Sequence, residues 1–273
     1  SARLFQYYAK AKGSNGKVKI ISATLIGTDS VENLVGGVFD KEGKIIVAGN
    51  LWGPSIPDIF RDAKKVEFGK GEFDKDVSKP IVVDKKGKTQ INMKDPNISG
   101  FIAKFSSDLK KVENLFLFRW KNATITDIGI GPDGYIYFTG FITKEFKENM
   151  KGDKRIKIFS PPSPNQSRDM YVAKIDSELK DIRWISIFEN AEESANAITR
   201  FGFSPSIRFG FNSEGKIVLV PWNKIYIGSP EEPNTWKEIG EKKLGAFLGI
   251  DPNDDGLWFG GDNNTHTGKE PWR

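Results

Sequence analysis

Apolar residues along this chain gather in short runs separated by turn residues. The runs are LFQYYAKA, KVKIISATLIG, KIIVAGNLW, GFIAKFS, NLFLFRW, YIYFTGFIT, MYVAKID, IRWISIF, KIVLVPW, KIYIG and GLWFGG. β-branched and aromatic residues dominate them, and turn formers bound nearly all, which is the signature of strands. Spacing at i, i+3 and i+4 is best developed in 190–200 (NAEESANAITR), the one short helix the pattern suggests. The reading is a mostly β chain.

The strands recur in a fixed arrangement. Phe101–Lys110 (FIAKFSSDLK) aligns without gaps on Tyr171–Lys180 (YVAKIDSELK), and YAKA at Tyr8–Ala11 is a weaker third copy. Each Ala-Lys strand leads to a second apolar strand, which is expected to end at Trp120 in one copy and Trp184 in the other. A hairpin recurs as well: VFDKEGKIIVAGN at 38–50, IGIGPDGYIYFTG at 128–140, FGFNSEGKIVLVPW at 209–222 and LGIDPNDDGLWFGG at 248–261. In each, an apolar strand meets an acidic turn ending in Gly, where a positive φ is required, and an apolar strand follows. That last strand is almost continuously hydrophobic, as expected of one buried on both faces.

Units of about four short strands describe β-propeller blades. The combination of [FY]-[IV]-A-K-[FI]-x-S-x-L-K, an aromatic second strand and a turn-Gly hairpin closing in AG or TG resembles the SBBP type of bacterial β-propeller repeat. The resemblance covers 100–143 and 170–222 well, and 4–53 and 225–261 loosely. It implies a secreted or cell-envelope protein and says little about activity. The chain departs from it at Pro221, which stands where Gly49 and Gly140 stand in the other copies, and in two insertions, 54–98 and 144–168.

The expected architecture is therefore one all-β, propeller-like domain over 1–273 with about four recognisable blades, two loop insertions and a polar tail at 262–273. Each insertion follows an inner hairpin and precedes an Ala-Lys strand, so both are expected on one face, where recognition loops are usually carried. VVDKKGKTQINM in the first insertion reads as a further hairpin, able to extend a sheet edge. Four hairpin signatures fit either a compact ring of four or five blades or a ring completed by another chain or by further sequence; because open sheet edges are normally covered, a protein partner or self-association is expected.

Charge and composition narrow the function classes. No apolar run is long enough to be a membrane-spanning helix. No basic-then-apolar leader is visible, and the start at Ser1 without Met is compatible with removal of one. With no Cys and the single His266, disulfides, thiolate catalysis, Cys-ligated metals and multi-His centres are excluded, and a Ser-His-Asp arrangement would need His266. No c-type haem attachment motif is present. Net charge is +5, but 144–168 holds seven Lys/Arg against three Asp/Glu, so most of the excess is one basic loop. A nucleic-acid surface would spread its basic residues over a face with aromatics between them, so no nucleic acid is expected.

Single motifs carry little. GIGPDG at 129–134 matches the dinucleotide fingerprint, but YIYF follows it as a strand where a helix is required, so it is a hairpin turn. GKT at 87–89 lacks the P-loop's first Gly, because position 82 is Val82. Asn97, Asn122, Asn165 and Asn263 head glycosylation triplets. Carboxylates are plentiful, so a glycosidase-type pair drawn from two blades stays open.

Two C-terminal features remain. Asp251, Asn253, Asp255 and Gly256 have the spacing of a calcium loop, with Asp262 at its twelfth position. The same residues form the turn of the fourth hairpin. If 257–261 is a strand, Asp262 lies roughly 20 Å from that turn, too far to complete an ion shell. Asp251, Asn253 and Asp255 are the residues that would hold calcium weakly; otherwise no cofactor is expected. The tail offers Asp262, Asn264 and His266 as ligand-binding groups, with Asp262 tuning His266, and Trp272 and Arg273 as partner anchors. The competing reading is a polar loop bonded to its own backbone.

The expectation is a propeller-type binding or assembly module, a scaffold or subunit of a larger complex, rather than an enzyme. The alternative is a carbohydrate-active or other hydrolytic propeller using carboxylates on one face. A third class is the scaffold subunit of a redox or filamentous assembly.

Overall fold

The computed structural model describes residues 6–14, 17–26, 31–52, 57–60, 65–68, 81–83, 89–91, 99–118, 123–143, 152–159, 168–189, 208–220, 224–241, 247–250 and 257–260. These residues are all-β, with a single 3-10 turn at Asp58–Phe60. Among them no helix is long and apolar enough to cross a membrane. The candidate helix at 190–200 lies outside the described residues. The chain divides into two compact units, Ser1–Thr124 with Glu178–Asp181, and Ile125–Ser177 with Ile182–Arg273.

In the first unit, β1 (Gln6–Ser14) and β2 (Lys17–Ile26) form an antiparallel hairpin. β3 (Val31–Phe39), β4 (Ile45–Trp52), β5 (Lys65–Phe68), β6 (Ile81–Val83), β7 (Thr89–Ile91), β8 (Gly100–Phe105) and β9 (Val112–Phe118) follow. The main sheet has the order β3-β4-β8-β9-β5. Its core joins Ile45, Val47, Phe101, Ala103, Leu115 and Leu117 with Phe60 of the 3-10 turn.

The second unit holds β10 (Thr124–Ile130) but for its first residue, then β11 (Ile136–Thr143), β12 (Ile156–Phe159), β13 (Arg168–Ile175) and β14 (Ile182–Phe188) in the order β10-β11-β13-β14-β12. β15 (Arg208–Phe211), β16 (Ile217–Val220), β17 (Lys224–Gly228) and β18 (Lys237–Glu241) form a four-stranded sheet in chain order. β19 (Phe247–Ile250) pairs with β20 (Leu257–Gly260). Tyr137, Val172, Trp184, Phe188, Leu219, Tyr226 and Trp236 belong to one core cluster.

The repeat has a physical basis at each of its signatures. The three described hairpin turns share one geometry. Gly43, Gly134 and Gly215 sit at φ of 73°, 79° and 74°, and their N–H groups donate to the carbonyls of Asp40, Gly131 and Asn212. Asp40 Oδ1 accepts from the N–H groups of Glu42 and Lys44, and Asn212 Oδ1 accepts from that of Lys216. The run after the turn is buried without interruption, as its composition predicts: Ile45, Ile46, Val47 and Ala48 are fully buried. The AG and TG endings also acquire a reason. Gly49 pairs with Phe101 and Gly140 with Tyr171, the aromatic residue that opens each Ala-Lys motif. A Cβ on Gly49 would lie 2.6 Å from the Phe101 ring, so the glycine and the aromatic are one device.

A bulge follows the lysine of every Ala-Lys strand: between Lys104 and Phe105, between Lys174 and Ile175, and between Lys10 and Ala11. The weak third copy at Tyr8–Ala11 thus shares a backbone irregularity with the strong ones. Two expectations change. Trp184 does not end its strand; it is the third residue of β14, which runs on to Phe188. The insertions are more than loops, since each returns a short strand to the sheet edge: β5 runs parallel to β9 and β12 parallel to β14. The outer strands VENLFLF and IRWISIF are too apolar to leave an edge bare. The 82–93 segment does form a hairpin, β6–β7, but as a sheet of its own.

Candidate functional site

A lysine in the middle of a buried strand demands partners, because an unpaired ammonium in the interior is costly. Lys104 and Lys174 are 4% and 3% exposed, flanked by strand residues that are buried throughout. Each meets its counter-charges on turns, and these two clusters are the main concentrations of buried charge among the described residues.

Lys174 Nζ lies 2.8 Å from Asp133 Oδ2 on the GPDG turn and 3.3 Å from Glu231 Oε1, and donates to the Pro230 carbonyl at 3.1 Å. The ammonium also stands 4.3 Å from the centre of the Tyr135 ring, within cation–π range. The Tyr137 hydroxyl donates to Asp133 Oδ2 at 2.6 Å. From the neighbouring strand, Trp184 Nε1 donates to the same Pro230 carbonyl at 3.1 Å. Ser186 Oγ donates to the Pro233 carbonyl at 2.7 Å and accepts from Trp236 Nε1 at 3.0 Å. The β17–β18 turn is therefore tied to β13 and β14 through polar groups that are themselves buried.

Lys104 repeats the arrangement. Its Nζ lies 3.1 Å from Asp40 Oδ2 on the DKEG turn and 3.2 Å from Glu178 Oε1, a residue that clusters with the first unit. Asn114 Nδ2 donates to the Glu178 carbonyl at 2.6 Å and to its Oε2 at 3.2 Å. Asn114 occupies in β9 the third place that Trp184 occupies in β14. In both repeats, then, a strand lysine grips its own hairpin's acid and a second acid further along the chain, while a neighbouring side chain holds the main-chain carbonyl of that second acid or of the residue before it.

The electrostatics fix the protonation states. Burial disfavours ionisation of Asp133, but hydrogen bonds from Lys174, Tyr137 and the Tyr135 N–H outweigh it and hold the carboxyl below its ordinary value. Asp40 is lowered in the same way, burial being outweighed by the Lys44 N–H and by Lys104, and Glu178 by Lys104 and Asn114. Burial and the Asp133 carboxylate push the Tyr137 hydroxyl upward, so it stays a proton donor. A carboxyl held below its ordinary value beside a phenol pushed above its own leaves the acid ionised and the phenol protonated near neutral pH, where general acid–base work requires a group poised to exchange a proton. The clusters hold charge in place; they are fasteners.

The third repeat supports this reading by what it lacks. Its strand register places Ile227 where the others have lysine, and Asn212 stands where the first repeat has Asp40. Relative to the first repeat, cation and anion are replaced together, while Asn212 keeps the same turn hydrogen bond; Glu214, at the place of Asp133, pairs with Lys216 instead.

The residues singled out in the sequence as candidate sites, Asp251, Asn253, Asp255, Asp262, Asn264, His266, Trp272 and Arg273, all lie outside the described residues. So do Asn97, Asn122, Asn165 and Asn263. What the structure does define is the setting of the calcium-like segment. β20 is a strand over Leu257–Gly260, and Ile250 pairs with Leu257 across the turn, leaving one residue more than in the sibling hairpin closed by Phe39 and Ile45. Among the described residues no group of three or more acidic or His side chains is placed to hold a metal. Sequence reasoning used the Ala-Lys motif only as a repeat marker. The signal that it carries charge pairing was present, since each repeated lysine is accompanied by an acid in the preceding turn.

No protein-family profile matches the chain, and no curated protein sequence does. Among solved structures, a luciferin-regenerating enzyme aligns over 99% of this chain and 75% of its own, at 13% identity and a TM-score of 0.40. A protein of unknown function from Bacteroides caccae aligns over 94% of this chain and 64% of its own, at 9% identity and a TM-score of 0.38. Both likenesses are too distant to carry an argument about activity.

Proposed function

We propose that this chain is a β-propeller-type scaffold of the secreted or cell-envelope compartment, acting through binding and assembly rather than turnover. The observation that carries the proposal is the state of its buried polar groups. The lysines, carboxylates, tyrosine and tryptophans that the repeat brings inside are bonded to one another or to turn carbonyls, with the Asp133 carboxyl held below its ordinary value and the Tyr137 hydroxyl pushed above its own. The insertions add to it, because each is anchored by a strand on a sheet edge. The compartment rests on the resemblance of the repeat.

The propeller reading rests on strand types. Sheets β3-β4-β8-β9, β10-β11-β13-β14 and β15–β18 each supply the four strands of a repeat. β19–β20 matches a first-and-second-strand hairpin, and β1–β2, with its Ala-Lys strand and bulge, matches a third-and-fourth. Together they make up the strand types of one further repeat, giving four.

Turnover assays decide between scaffold and enzyme. A panel of chromogenic glycosides and esters is expected to hydrolyse at the uncatalysed rate in the presence of the chain. Hydrolysis abolished by exchanging a single carboxylate would overturn the scaffold reading in favour of a hydrolytic propeller.

A further inference from the structure

β12 is the outermost described strand of its sheet, and its backbone has two distinct sides. The carbonyls of Arg155 and Phe159 accept from the N–H groups of Ile185 and Glu189. Backbone groups alternate in direction along a strand, so those of Ile158 point away from β14, out of the sheet. The Ile156 N–H is already taken by the Asp153 carbonyl at 3.1 Å, so the outward edge opens at Ile158. Phe159 anchors the strand, packing edge-on against Phe188 and Tyr226 with ring centres 5.4 and 5.7 Å away.

The Ile158 side chain is 56% exposed, one of two large apolar side chains exposed among the described residues. An exposed isoleucine beside an outward-facing N–H and C=O is a strand-pairing surface with an apolar contact attached. Its surroundings are basic. Among the described residues beside it, Lys154 is exposed and Lys157 partly so. Arg155 is held by Asp153 at 2.6 Å. The charge selects the occupant. A second copy of β12 would set like charges opposite one another, which is unfavourable, whereas an extended acidic segment would meet opposite charges.

We infer that β12 receives an extended acidic segment of a protein partner as a sixth strand of this sheet. The segment bonds to the Ile158 N–H and C=O, lays an apolar side chain against Ile158 and sets carboxylates beside Lys154 and Lys157. The inference deepens the scaffold reading and rests on it. A single outward residue and one apolar contact support weak binding, with Kd on the order of 100 μM at low salt.

Fluorescence anisotropy with a labelled Glu-Val-Glu-Val-Glu-Val peptide tests it on the full chain, with Lys-Val-Lys-Val-Lys-Val as control. The acidic peptide is expected to bind at least tenfold tighter than the basic one and to weaken as salt is raised. Ile158→Pro removes the outward N–H while leaving the bonds to β14, because edge strands accept proline where the N–H faces solvent. It is expected to lose at least tenfold in affinity. If that variant fails to fold by circular dichroism, the double substitution K154E/K157E reads the same site and is expected to reverse the preference between the peptides. Equal affinity for both peptides, no binding of the acidic peptide at millimolar concentration, or wild-type affinity in a folded Ile158→Pro would overturn the inference. So would light scattering that shows a dimer which Ile158→Pro dissociates, because the occupant would then be a second copy. A negative peptide result leaves the turnover assay to judge the scaffold reading separately.

Discussion

The most informative residues are those whose backbone is out of character. Leu109 and Leu179 close the S-x-L-K turns at φ of 62° and 57°, a region that costs a side-chain-bearing residue about 1–2 kcal/mol. Both side chains are buried, at 1% and 0% exposure, and burying a leucine contributes roughly 1.5–3 kcal/mol. Burial wins, which explains why the motif keeps leucine where glycine would be strain-free. Leu109→Ala loses the burial and keeps the strain, so a loss of about 2–4 kcal/mol is expected. Leu109→Gly loses the burial and sheds the strain, so it should be no worse than alanine, the reverse of the usual order. Urea unfolding of both variants checks the ranking.

The acids of the lysine clusters make a pH prediction. Asp40, Asp133 and Glu178 are all held below their ordinary values of 3.8, 3.8 and 4.5 in the folded protein. Groups with depressed folded values contribute stability that is complete above the unfolded value and is lost as pH falls through the folded one. Urea midpoints should thus stay level from pH 7 down to about 5 and fall below about pH 4, where the unfolded chain binds more protons. The fall should be shallower in Asp133→Asn, because one of the contributing carboxylates is gone.

At the scale of elements, the hairpins and Ala-Lys strands were legible because local chemistry dictates them. A turn ending in Gly at positive φ, a continuously apolar inner strand and an aromatic opposite a glycine each leave a mark in one or two residues. Gly49→Ala places a methyl in the Phe101 ring and 2.9 Å from the Asn33 carbonyl, so a loss of about 1–3 kcal/mol is expected. Combining it with Phe101→Leu should recover part of that loss, a coupling that thermal unfolding of the two single variants and the double one would reveal. The edge strands β5 and β12 were not legible. KVEF and IKIF are four residues long, and what makes them strands is the bare edge of β9 or β14 beside which they lie. Local sequence does not encode that edge. The same holds for Trp184, whose place inside β14 is set by its bond to the Pro230 carbonyl, 46 residues away.

For the whole molecule, the repeat marks which positions matter without saying what they do. The sequence marks the Ala-Lys lysine as a repeated position, and its role is fixed by acids that the fold brings from elsewhere in the chain, Asp40 and Glu178 for Lys104 and Asp133 and Glu231 for Lys174. The exchange of lysine and acid for Ile227 and Asn212 in the third repeat is the chain's own control for that role.

A double-mutant cycle on global urea unfolding transfers that control to the first repeat and tests most directly whether the buried lysines are fasteners. Lys104→Ile alone leaves Asp40, 13% exposed, facing an apolar side chain, and should cost about 2–4 kcal/mol. Asp40→Asn retains an acceptor for the Lys44 N–H, as Asn212 does for Lys216, so it should cost less. The double variant is expected to be more stable than the sum of the single losses by about 1–3 kcal/mol. Losses that add to within about 0.5 kcal/mol would contradict the account, since the lysine and the acid would then be buried for separate reasons.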